Sequence, residues 1–243
     1  MATTPGIFCA IDTNTLADAK KLVSGFAGLP LHLKLGLEFF IAEGPQGIAA
    51  IRDLAGDDVK IFLDLKLHDI PNTVASAVRA AMKLRVDFLT IHTSGGRDMM
   101  RAAVLAAEDE QKKTGTPAPC LLGVTVLTHM DDKDLGALGV DASPSDQVVR
   151  LGKMAAEAGL GGAICAPQEI ALLRQAITTP FQLVVPGIRP ASHVQDDQKR
   201  IMTPMDAAKA GADYLVIGRP ITQAKDPVQA AGDILASLQP KAA

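Results

Sequence analysis

Short runs rich in β-branched and large apolar residues alternate eight times with longer, Ala-rich stretches of helical period, and this leaves few folds open. The predicted strands are 7–11, 31–35, 59–65, 88–92, 121–127, 162–166, 181–185 and 214–217. Helical patterns fall near 15–26, 43–55, 72–84, 97–113, 146–158, 167–177, 203–210 and 227–238. Eight βα units in 243 residues match a (β/α)8 TIM barrel, with a doubly wound open sheet as the competing arrangement. The Gly-rich fingerprint of a dinucleotide-binding open sheet is missing after the first strand, where Ile11-Asp12-Thr13-Asn14 stands. No linker, charge block or low-complexity segment breaks the pattern, which predicts one α/β domain over 1–243.

Within that pattern one run of ten residues is out of place chemically. Asp64-Leu65-Lys66-Leu67-His68-Asp69-Ile70-Pro71-Asn72-Thr73 sets an acid, an amine and a second acid at the end of an apolar strand. Residues two apart on a strand share a face, so Asp64 and Lys66 are expected to project together, opposite Ile61, Leu63, Leu65 and Leu67. Two charges on an otherwise buried strand are costly to desolvate, so such a pair points to use. The first strand ends in Asp12, on the face of Phe8 and Ala10, and the second carries Lys34 between Leu33 and Leu35. In a barrel the C-terminal strand ends build the active site. Around that mouth Asp12, Lys34, Asp64, Lys66 and Asp69 alternate in sign. At about 4 Å and an effective dielectric near 20, each such contact is worth a few kcal/mol. A purely structural ion-pair network is the competing reading.

Two later turns have the character of an anion site. Val185-Pro186-Gly187-Ile188-Arg189 closes the seventh strand and Ile217-Gly218-Arg219-Pro220 the eighth. In each, a glycine frees backbone amides to approach a ligand and an arginine supplies charge, at the two loops where barrels commonly bind phosphate. The alternative is a pair of ordinary turns with solvated arginines.

Other features bound the function by exclusion. A net charge of -3 and a pI near 5.9 give no basic field for nucleic acid, and the absence of Trp with a single Tyr gives no base-stacking platform. Cys9, Cys120 and Cys165 lack any CxxC spacing and lie in or beside apolar runs, so they read as small buried hydrophobes in a reducing compartment. No run approaches the ~18 apolar residues of a membrane span, and the N-terminus lacks a leader pattern, so a cytoplasmic protein is expected. His32, His68, His92, His129 and His193 show no metal-binding spacing, and no metal is expected. His68 suits a supporting or turn role better than that of a general base. Ile70-Pro71-Asn72-Thr73 also reads as an ordinary helix start, although an apolar Ile70 after Asp69 suits an interface better.

With these residues in view, the chain resembles the orotidine 5′-monophosphate decarboxylase family in its bacterial form. The resemblance rests on Ala10-Ile11-Asp12, Leu33-Lys34-Leu35-Gly36, the ten-residue run, Val124-Thr125-Val126-Leu127-Thr128, Pro186-Gly187-Ile188-Arg189, Asp196-Asp197-Gln198-Lys199-Arg200 and Gly218-Arg219. The ten-residue motif is specific, whereas its DxKxxD core is shared with sugar-phosphate decarboxylases and lyases. The resemblance implies cofactor-free loss of CO2 from C6 of orotidine monophosphate, with Lys34, Asp64, Lys66 and Asp69 as the charge network. Lys66 is then the proton donor to C6, and Asp64 lies against the substrate carboxylate. Asp12 and Lys34 bind ribose hydroxyls, Thr128 meets the pyrimidine, and Pro186, Arg189, Gln198, Gly218 and Arg219 hold the phosphate. A homodimer is implied, with Asp69, Ile70 and Thr73 reaching into the partner's site. The segment between Arg189 and Gln198 looks like a closing lid. Two other readings stay open: a magnesium-dependent sugar-phosphate lyase, and a nucleotide-binding barrel without activity.

Overall fold

Eight parallel strands pair in sequence order and the last returns to the first, Gly6 opposite Tyr214 and Cys9 opposite Ile217. That closure excludes the open sheet. The computed structural model describes residues 4–190 and 202–239. The strands are β1 Gly6–Ile11, β2 His32–Leu35, β3 Ile61–Leu67, β4 Phe88–His92, β5 Cys120–Val124, β6 Gly162–Ile164, β7 Gln182–Val185 and β8 Tyr214–Ile217. The helices are α1 Leu16–Gly25, α2 Leu37–Ala55, α3 Pro71–Met82, α4 Arg97–Thr114, α5 Asp132–Ala137, α6 Pro144–Ala158, α7 Ile170–Ala176, α8 Pro204–Ala210, α9 Arg219–Thr222 and α10 Pro227–Ser237. No described helix is long and apolar enough to cross a membrane.

Strand alternation sorts the side chains into two cores. Outward residues such as Ile7, Leu33, Leu63, Leu89 and Leu183 pack beneath the helices in one continuous cluster. Inward residues fill the barrel: Phe8, Phe62, Phe88 and Tyr214 form an aromatic layer near its base, with Leu122, Val184 and Val216 beside them. Phe8 lies 5.4 Å from Phe62 and 5.2 Å from Phe88, edge to face in both cases, an arrangement worth about 1 kcal/mol per pair beyond burial. This solid floor leaves only the upper end of the barrel open for a ligand. Cys9 and Cys165 are buried and Cys120 is half-buried, all free thiols. Burial pushes the Cys9 and Cys120 thiols up to about 12 and raises Cys165 as well.

Helix starts follow local chemistry. Thr15, Ser143, Thr203 and Asp226 each accept a first-turn amide, and Pro144, Pro204 and Pro227 follow three of these caps at N1. The structure adds elements the residue pattern did not predict. Helix α2 begins at Leu37 and turns sharply at Gly44 (φ 60, ψ -160), where Pro45 starts its second piece. Glu43, just before that break, accepts the Leu16 amide at 2.7 Å and so ties α2 to the start of α1. The α5 turn is set by a capping box between Asp131 and Asp134. The fifth strand ends at Val124 rather than 127, where its pairing with both His92 of β4 and Ile164 of β6 stops. Beyond it Thr125 donates its hydroxyl to the Ile164 carbonyl at 2.7 Å.

Candidate active site

The third strand departs from regular pairing where its charges lie. Between the pairs Leu63–Leu89 and Leu67–Ile91, β3 advances from 63 to 67 while β4 moves only from 89 to 91. The extra residues interrupt the ladder there, and Lys66 takes a left-handed backbone conformation, φ 51. For a residue with a Cβ this costs about 1 kcal/mol. Asp64 and Lys66 therefore converge through a bulge and a strained residue, not through the simple pleat expected from their spacing.

The outcome is a short chain of alternating charges. Lys34 Nζ lies 3.1 Å from Asp12 Oδ1 and 4.0 Å from Asp64 Oδ2, and Lys66 Nζ lies 2.8 Å from that same Asp64 oxygen. The Lys34 and Asp64 side chains are 12% and 14% exposed, so water screens them little. Asp64 is engaged at both oxygens: its Oδ1 accepts the Thr90 hydroxyl at 2.9 Å. The same hydroxyl accepts the Lys66 amide at 2.8 Å. Thr90 is fully buried on β4, a position that the sequence alone marks only weakly. Its only signal there is a polar residue sharing the inward face of Phe88 and His92.

These charges line one wall of a cavity of about 270 Å³ at the C-terminal end of the barrel. Asp12, Lys34, Asp64 and Lys66 stand on one side, Pro186, Arg189, Gly218 and Arg219 on another, and Thr128 closes the β5 side. Val124, Val126, Leu127 and Ile164 supply an apolar wall that charge-based reasoning did not single out. Gly187 has φ 80, which favours glycine, and the chain after it is pinned by a bridge between Ile188 and Met202. Arg189 donates its amide to the Met202 carbonyl at 3.0 Å and its Nη1 to the Ile188 carbonyl at 3.1 Å, and it is buried. A Cβ on Gly218 would lie 3.3 Å from that of Ala10, so glycine keeps this wall open.

Two expected site residues stay outside the cavity in this chain. Asp69 forms no ion pair among the described residues; its Oδ1 accepts the Ile70 amide at 2.6 Å. Thr73 is exposed in the first turn of α3. The whole stretch from His68 to Thr73 is exposed, and Ile70 is 67% exposed. Ile70 is the N-cap of α3 without a side-chain cap, so Pro71 is explained as a helix start and Ile70 is not. Gln198 and the expected lid lie outside the described residues. His68 stands 5.2 Å from His92, ring to ring, and not among the cavity's lining residues. Burial lowers the proton affinity of His92, helped by His68 and Lys66 and opposed by Asp64. No group of three or more His, Cys, Asp or Glu among the described residues could hold a metal ion.

Residues 5–234 match the model of the orotidine 5′-phosphate decarboxylase / HUMPS family. The chain belongs to that family. It is 47% identical to the orotidine 5′-phosphate decarboxylase of Idiomarina loihiensis, over 96% of this chain and 98% of that protein. The enzyme of the same name from Opitutus terrae is 48% identical over equal shares. Among solved structures, the crystal structure of orotidine 5′-phosphate decarboxylase from Lactobacillus acidophilus superposes with a TM-score of 0.85 at 34% identity, covering 98% of this chain and all of that one. The closed barrel is thus shared with a decarboxylase of that name.

Proposed function

We propose that this chain removes CO2 from C6 of orotidine 5′-monophosphate to give uridine 5′-monophosphate, the last step of pyrimidine nucleotide synthesis, without a cofactor. Family membership and relatives named for that reaction at 47–48% identity support it. The observation that carries the mechanism is the 2.8 Å contact of Lys66 with Asp64 at the cavity wall. Breaking the C6–CO2 bond leaves an electron pair in an in-plane orbital of C6, with no internal sink. The Lys66 ammonium is the cation offered to that pair, and it then gives C6 its proton. Asp64 holds the ammonium and lies against the departing carboxylate. At 4 Å and an effective dielectric of about 20, that repulsion is about 4 kcal/mol. A barrier reduction near the top of the enzymatic range, about 20 kcal/mol, needs more. The rest comes from charges preorganised in a dry site and from phosphate binding remote from C6.

Asp12 and Lys34 take the ribose hydroxyls and Thr128 the pyrimidine edge. Pro186, Arg189, Gly218 and Arg219, with Gln198, take the phosphate. We place the chain, a single domain, in a homodimer whose sites are shared between subunits. The exposed Asp69-Ile70-Pro71-Asn72-Thr73 corner then delivers Asp69 and Thr73 to the partner's cavity and buries Ile70 in the interface. This reading explains an apolar N-cap that the isolated chain leaves in solvent. A cytoplasmic location suits such an enzyme.

The test is the loss of pyrimidine absorbance when orotidine monophosphate is added to chelator-treated protein. Turnover there is expected. Its absence, with magnesium-dependent activity on a keto-sugar phosphate instead, would establish the sugar-phosphate lyase alternative. Tight uridine monophosphate binding without turnover would mark a silent barrel.

A further inference from the structure

We infer that Thr90 is a positioning residue for the Asp64–Lys66 pair, an inference that rests on the roles just given to those two residues. Thr90 is buried and does not line the cavity, so it acts through its neighbours. A hydroxyl carries one donor hydrogen and accepts at its lone pairs. Here both functions are used, and they run in one direction: the Lys66 amide donates to Thr90 Oγ1, which donates to Asp64 Oδ1.

Each bond constrains a different part of the pair. Lys66 holds a strained backbone where the β3–β4 ladder shifts register, and such a conformation persists only where its surroundings determine it. Thr90 takes the Lys66 amide at that shift and so fixes where the side chain leaves the strand. On Asp64, the bond to Oδ1 stops the carboxylate from rotating. Oδ2 is thereby presented both to Lys66 at 2.8 Å and to Lys34 at 4.0 Å. One buried hydroxyl from the neighbouring strand thus sets the lysine's exit and the orientation of its anion together.

Thr90→Val keeps the shape and removes the hydroxyl, leaving the Lys66 amide and Asp64 Oδ1 without this partner. The expected result is a kcat lower by about 10- to 100-fold, the scale of a lost orienting contact. Uridine monophosphate affinity, measured by calorimetry, should stay within about threefold, and Thr90→Ser should recover most of the rate. Urea unfolding of each variant fixes the folded fraction used to normalise kcat. Thr90→Cys, with a weaker hydrogen-bonding group, serves if the valine variant does not fold, and a smaller loss confined to kcat is expected of it. A kcat within threefold of the parent in whichever of these two variants folds overturns the inference. So does a serine variant as slow as the valine one, or nucleotide affinity falling in step with kcat. Lys66→Ala in the same assay separates the two levels. Full turnover there removes the roles of the pair and this inference with them. A dead Lys66→Ala beside a fully active Thr90→Val removes the inference alone.

Discussion

Replacing Lys66 by Ala and, separately, by Gly tests the chemistry and the backbone of the site at once. Lys66 Nζ is the cation nearest Asp64 and lines the cavity; in the proposed mechanism it faces C6 of the substrate. A unit cation about 4 Å from a carbanion, at an effective dielectric near 20, stabilises it by about 4 kcal/mol, roughly a factor of 10³. Loss of the proton donor removes a further factor of about 10² to 10⁴. Both variants should therefore lose roughly 10⁵-fold or more in kcat, while uridine monophosphate binding by calorimetry weakens by about tenfold at most. Their stabilities should differ in the opposite sense to intuition about glycine. Lys66 sits at φ 51, so alanine inherits the strain and glycine relieves it, by about 1 kcal/mol. Urea midpoints should then rank Lys66→Gly above Lys66→Ala. Lys66→Arg should stay inactive, because a guanidinium does not give up a proton near neutral pH. A kcat loss under 100-fold, or nucleotide affinity falling as far as the rate, would refute the assignment of Lys66. Equal stability of the Gly and Ala variants would refute the strain.

Gly36→Ala should raise KM by about tenfold with little change in unfolding midpoint: the new Cβ falls 2.9 Å from Lys34 Nζ, displacing the ammonium at a cost near that of one charged hydrogen bond. Backbone strain is not involved, since Gly36 is extended at φ -101, and an unchanged KM would count against a role for Lys34 in binding. Mixing Asp69→Ala with Lys66→Ala subunits should restore partial activity if sites are shared, and failure despite confirmed heterodimers would reject composite sites. Stability should rise with pH through the range below about 6.5 and level off above it. Burial lowers the proton affinity of His32, aided by Lys60 and opposed by Asp87, and lowers that of His92 likewise. The unfolded chain therefore binds more protons in that range. His32 Nδ1 also accepts the Lys60 amide at 3.2 Å, a bond that protonation removes, so His32→Gln should flatten the slope of urea midpoint against pH. A flat profile in the parent protein would contradict this.

The barrel was legible because its signal is repeated: short, nearly continuous apolar β-rich runs and helical stretches eight times over each specify an element locally. The charges Asp12, Lys34, Asp64 and Lys66 were legible for a related reason, since ionised groups at the ends of buried strands stand out against the apolar pattern around them. Helix α5 and the first piece of α2 were not. The first depends on the Asp131–Asp134 capping box, and the second presents Leu37 and Ile41 to solvent, against helical patterning. The apolar wall of Val124 and Ile164 was hidden too, because inward and outward valines look alike in a sequence.

By itself, then, the order of residues determined the eightfold architecture, the end of the barrel that carries the site, and the residue types gathered there. These follow from local periodicity and from strand direction in a parallel barrel. Only the tertiary structure decided how Asp64 and Lys66 meet. Regular pleating predicts a shared face; what brings them to 2.8 Å is a register shift against β4, a left-handed Lys66 and the Thr90 hydroxyl, 24 residues further along the chain. A hydrogen bond between neighbouring strands depends on their stagger, and stagger is a property of the closed barrel that no local run of residues contains.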